Sequence, residues 1–116
     1  MKKIILLATT AFCVVFLINC SSSKKAMAVA PPKMNYETNV KPLIVANCAP
    51  CHLPDKGGRK KPYDTFAPVL ADIDNIIARI DMHPGDRGFM PFKRERLSDS
   101  TIAIFKQWKT DGLLEK

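Results

Sequence analysis

The sequence predicts an all-α domain of three to four helices, on three observations. Apolar residues recur at helical spacing in several separate stretches, strand-like alternation is almost absent, and the intervening segments are clusters of Gly, Pro and Lys that read as loops. The predicted domain occupies residues 34–116 of a 116-residue chain. That length allows one small domain rather than two.

The first predicted helix lies in "NVKPLIVANC", where Val40, Leu43 and Ile44 share one face. Pro42 must stand near its start, and Asn39 is the candidate cap. The stretch "DTFAPVLADIDNIIARIDM" predicts two short helices, one around Thr65 to Ala71 and one around Asp74 to Ile80. Ile73, Ile76, Ile77 and Ile80 form the apolar stripe of this region. The last helix carries the best punctuation. Ser98 can cap it, Asp99 suits the positive end of its dipole, and Gly112 stops it. Ile102, Phe105 and Trp108 recur every three residues within it and are read as core. The loop from Leu53 to Asp64 is expected to add little core. A domain this small has a thin apolar core and usually needs a staple or a cofactor.

The segment ahead of the domain reads differently. Lys2 and Lys3 are followed by the uncharged run "IILLATTAFCVVFLI" from Ile4 to Ile18. A basic start and an apolar run of about fifteen residues predict a secretory signal over residues 1–19, too short for a comfortable membrane span. The next stretch, "LINCSSS", resembles the lipobox of bacterial lipoproteins, with Asn19 where a Gly, Ala or Ser is usual. The resemblance implies that Cys20 is lipidated and anchors the chain to a membrane of the cell envelope. Residues 20–33, "CSSSKKAMAVAPPK", then form a flexible tether. The formal net charge is +7, and two of the contributing lysines leave with the signal. The remainder is mildly basic, with no interleaving of aromatic and basic residues for stacking on bases, so no nucleic-acid partner is expected.

With Cys13 inside the apolar run and Cys20 assigned to lipid, Cys48 and Cys51 are the cysteines left to the domain. They stand in "CAPCH", directly before His52. Three readings compete. A zinc site wants four ligands, and His83 in "MHPGD" brings no second short-spaced pair. A redox disulfide of the thioredoxin kind wants a βαβ context, for which strand signals are lacking. Attachment of haem accounts for all three residues together, with two thioethers and one iron ligand. On a helical turn of about 100° per residue the three side chains share an arc of roughly 100°, so they can address one flat group. Export supplies the compartment in which such attachment takes place.

The residues "VKPLIVANCAPCH", "GFMPF" and "LSDSTIAIFKQWKTDG", in that order, resemble those of small single-haem cytochrome c domains. The resemblance covers about Tyr36 to Gly112. It implies a small cytochrome c-like fold around one covalent haem c, with Cys48 and Cys51 as thioether positions and His52 as the proximal iron ligand. It also implies that an aromatic C-terminal helix crosses the attachment helix. The opposite iron position has three candidates, Met82, His83 and Met90. Met90 is followed by Pro91, and Gly88 two residues earlier allows close approach to a flat group, so Met90 is the expected distal ligand. Ligation by His and Met fills both axial positions, which implies an electron carrier and not an enzyme. The alternative is a haem protein with an open or weakly held sixth site that binds a gas or peroxide. Lys56, Arg59, Lys60, Lys61, Lys93 and Arg94 either form a docking face for an acidic redox partner or are simply solvated.

Overall fold

The structure is a computed structural model, and it describes residues 30–116. The readings of residues 1–19 as a signal and of Cys20 as a lipid site lie outside the described residues. Residues 30–33, at the end of the expected tether, are exposed and carry no regular structure. All the elements lie in the compact unit Pro32–Lys116. They are α1 (Lys41–Cys48), α2 (Phe66–Ile80) and α3 (Asp99–Thr110), with a π-helical turn Tyr36–Val40 leading into α1 and a 3₁₀ turn Pro54–Lys56. Among the described residues there is no strand; one isolated parallel bridge joins Asn35 to Leu114. The domain is therefore all-α, as expected.

The first helical segment starts earlier than the expected Asn39. Asn35 is the cap, its side chain accepting the Thr38 N–H at 2.9 Å. Asn39 instead turns its side-chain oxygen back to the Asn35 N–H, also at 2.9 Å. Pro42 explains the wide first turn. It has no N–H to give to Thr38, and the Lys41 N–H closes a larger ring onto Tyr36. Tyr36, Val40 and Ile44 face the core four residues apart.

The two helices expected between Thr65 and Ile80 are one continuous helix, α2. Pro68 does not break it, because it sits in the first turn, where its missing N–H would have no partner. Val69, Ile73, Ile76 and Ile80 are buried, with Ile77 half-buried at the margin. The α3 punctuation is as expected. Ser98 accepts the Thr101 N–H at 3.2 Å, and Gly112 takes φ +100° past the end.

The loop from Leu53 to Asp64 supplies more core than its composition promised: Leu53 is 3% exposed and Tyr63 7%. Around Trp108, which has no exposed surface, an aromatic group forms with Tyr36 and Phe66 at centroid separations of 5.4–6.2 Å. Truncating such a side chain typically costs about 3–5 kcal/mol. The Tyr36 hydroxyl is buried without a hydrogen-bond partner, and burial, more than the nearby Glu37, raises its pKa.

α3 packs on α2 and on the Tyr36–Val40 turn. Ion pairs reinforce the first contact, Lys106 with Asp81 at 2.7 Å and Lys109 with Asp74 at 2.6 Å. A clasp closes the second. The Leu114 carbonyl accepts both the Tyr36 N–H and the Trp108 indole N–H, each at 2.8 Å, and Asp111 accepts the Met34 N–H at 2.7 Å.

Candidate functional site

α1 ends at Cys48, the first residue of the motif. The helical turn expected to run through the motif is not continued, because Ala49 is extended (φ −71°, ψ 154°). A residue preceding proline is crowded out of the helical region, and Pro50 follows Ala49. The chain nevertheless closes tightly. The His52 N–H reaches the Cys48 carbonyl at 3.1 Å, and the Leu53 N–H reaches that of Pro50 at 3.1 Å. Cys48, Cys51 and His52 thus remain within a single turn.

Loop 53–62 folds back on this turn and holds it. The Lys60 N–H bonds the Cys51 carbonyl at 3.0 Å, and the Tyr63 N–H bonds that of His52 at 2.9 Å. Gly58 lies so close that a Cβ there would stand 2.3 Å from the Pro50 oxygen and 2.6 Å from the Cys51 oxygen. Only glycine fits that approach.

Both cysteines are free thiols. Cys51 is exposed, whereas Cys48 is half-buried and packs against the core. Burial pushes the Cys48 thiol up to about 11, with the Arg94 charge pulling the other way. His52 is held on two sides. Its Nδ1 lies 2.7 Å from the Lys61 carbonyl, and its ring stacks on Tyr63 at 4.6 Å and 13°. A carbonyl can only accept, so Nδ1 carries the proton and Nε2 keeps its lone pair free. Among the described residues nothing bonds Nε2.

Tyr63 and Lys61 are in turn fixed by Asp72 on α2. The Tyr63 hydroxyl donates to Asp72 Oδ2, and Lys61 Nζ pairs with Oδ1 at 2.8 Å. These bonds, Lys61 first and Tyr63 next, hold the Asp72 carboxyl below its ordinary value. Burial, then the bond to Asp72, raises the Tyr63 hydroxyl. Lys61, Tyr63 and Asp72 were not read as site residues from sequence. The single hint was an aromatic residue in an otherwise polar loop, "RKKPYD".

Met90 is half-buried against the same core as Cys48. α2 anchors its loop through one residue: the Arg79 carbonyl accepts the Met90 N–H at 3.1 Å, and the Arg79 guanidinium reaches the Gly88 carbonyl at 3.2 Å. Gly88 needs its glycine, with φ +102°. Beyond Met90, Arg94 Nη1 donates to the Asn47 carbonyl at 3.3 Å, which joins this segment to the end of α1. Met82 is half-buried, and its carbonyl accepts from Arg96 at 3.2 Å. His83 is exposed in a turn capped by Asp86.

Of the six basic residues considered for docking, Lys61 and Arg94 are engaged internally, and Lys93 lies 5.3 Å above the exposed Phe92 ring. Among the described residues no group of three or more His, Cys, Asp or Glu clusters to hold a metal ion, and no helix is long and apolar enough to cross a membrane. Comparison with protein-family models, with curated proteins and with solved structures gives no match to this chain.

Proposed function

We propose that this chain is a membrane-anchored, single-haem c-type cytochrome that passes single electrons between redox partners of the cell envelope. One observation carries the reading. His52 has its Nδ1 proton committed to a carbonyl and its Nε2 free, one turn from two free thiols. A metal-binding imidazole is typically held in this way, since the outer bond fixes the tautomer and makes the inner nitrogen a better donor. The donor set fits haem c: Cys48 and Cys51 would hold it by thioethers, His52 Nε2 and Met90 Sδ would face the iron. Each thiol would add across a vinyl group, forming the C–S bond and giving its hydrogen to the adjacent carbon. Bound there, haem supplies reversible one-electron chemistry at its iron.

The protein's own groups do the rest. The Lys61 carbonyl and the Tyr63 ring orient His52, Arg79 holds the Met90 loop from α2, and the core against Cys48 keeps that side of the site dry. With both axial positions filled the protein is a carrier and not an enzyme. The finer fold we propose is the small cytochrome c-like arrangement of these helices around the haem. Lys56, Arg59, Lys60 and Lys93 would present a face to an acidic redox partner, where complementary charge speeds encounter. Cys20 would carry the lipid that keeps the domain at the membrane.

The test is covalent haem on the full chain expressed with an export and attachment pathway. Denatured wild-type protein should keep haem on a gel and show peroxidase staining, and a Cys48→Ala, Cys51→Ala variant should lose it. Equal staining of that variant sinks the reading. Fast, complete binding of carbon monoxide by the ferrous wild type points instead to an open-site haem protein. Palmitate labelling that survives Cys20→Ser removes the lipid anchor.

A further inference from the structure

We propose that Asp72, which does not touch His52, is the residue that positions it. The inference rests on the reading above that His52 Nε2 faces an iron. Asp72 holds both residues that flank Pro62. Its Oδ1 takes the Lys61 ammonium at 2.8 Å and its Oδ2 takes the Tyr63 hydroxyl. Each of those residues touches the imidazole, Lys61 through its carbonyl at 2.7 Å and Tyr63 through a ring stacked at 4.6 Å. Tyr63 also bonds the His52 backbone at 2.9 Å. Pro62 fixes one backbone angle between them, so the three residues act as a short, stiff strut.

The strut is seated on a rigid element. Asp72 lies in the second turn of α2, and its side chain is 13% exposed, so the pair it makes with Lys61 is shielded more than the other ion pairs of the domain. Without Asp72 the Lys61 side chain returns to water, and the Tyr63 hydroxyl loses its partner. The carbonyl and the ring that set the imidazole's tautomer and plane are then free to shift. A looser Nδ1 bond makes Nε2 a poorer donor, which favours ferrous over ferric iron.

A positioning strut and a simple charge effect predict different signs. Asp72→Asn removes a negative charge, and Lys61→Met removes a positive one. Acting through charge alone, the two would move the reduction potential in opposite directions. Acting through the strut, both loosen the same carbonyl and move it the same way, upward. The experiment uses full-chain ¹⁵N-labelled protein as isolated, in the ferrous state. It measures solvent exchange of the His52 Nδ1 proton by NMR, and then the reduction potential. Both variants should exchange roughly threefold to tenfold faster than wild type, as expected for one weakened hydrogen bond. Asp72→Glu, which keeps a carboxylate, should move the rate back toward wild type. Lys109→Met, which breaks an ion pair of α2 away from the site, should leave it unchanged. Exchange that stays at the wild-type rate in either Asp72→Asn or Lys61→Met overturns the proposal, and so do potentials that move in opposite directions. If wild type carries no haem, the proposed function fails, and the exchange rate alone still decides whether Asp72 positions His52.

Discussion

Arg94 donates to the carbonyl oxygen of Asn47 at 3.3 Å and so ties the segment after Met90 to the last turn of α1, which ends at Cys48. No other hydrogen bond spans these two parts of the chain among the described residues. Replacing Arg94 by Ala should cost about 1 kcal/mol, the usual net value of one such bond. The loss should appear first at the Met90 loop. In a urea titration, the weak far-red iron–sulfur band of the ferric protein should disappear at a lower midpoint than the helical circular dichroism. Coincident loss of the two signals, as in wild type, would show that the bond does not hold the loop.

Met90→Ala should remove that far-red band, lower the reduction potential, and open the iron to carbon monoxide or azide. Met82→Ala and His83→Ala should do none of these, since His83 is exposed in a turn and Met82 sits at the end of α2. Retention of the band in Met90→Ala would assign the ligand elsewhere.

The two thiols should differ in a chain produced without haem attachment. Burial raises the Cys48 thiol to about 11, while Cys51 is exposed. At neutral pH only on the order of one Cys48 in ten thousand is thiolate, and thiolate is the reactive form. Iodoacetamide should therefore modify Cys51 well before Cys48. The Cys48 rate should climb steadily as pH rises toward 11, and mass spectrometry of digests reads both sites. Equal rates at neutral pH in buffer, with no change in urea, would mean that Cys48 is not sheltered.

Gly58→Ala places a methyl 2.3 Å from the Pro50 oxygen, a backbone atom that cannot swing away. The loop must lift off the motif. The expected cost is roughly 1–3 kcal/mol, as for other overpacked sites, with a lower yield of haem-bearing protein. Gly57→Ala has open space around it but φ +81°, so it should destabilise modestly and leave attachment intact. Melting temperature and haem staining of the two variants separate these outcomes.

What could be read from the sequence was whatever local chemistry decides. The ends of α3 follow from Ser98, Asp99 and Gly112, and its buried face from Ile102, Phe105 and Trp108, all within one element. Boundaries set by proline position were harder. Pro68 looked like a break and is a first-turn residue, whereas Pro50 looked compatible with a helical turn and ends one. The motif residues were legible from spacing alone. Their support was not, because Tyr63 becomes a site residue only when the chain brings it between His52 and Asp72. Nor did the composition of the Leu53–Asp64 loop reveal that its two ends enter the core.

The clasp at Leu114 has a mechanical meaning. The Asn35 and Leu114 strands of chain run parallel, and the bonds from Met34 to Asp111 and from Tyr36 to Leu114 bridge them. A pull on the backbone ahead of Met34 therefore loads the end of α3, through those bonds, before it can stretch the helix that ends at Cys48. The force is diverted into the aromatic centre around Trp108, and the turn holding Cys51 and His52 is left slack.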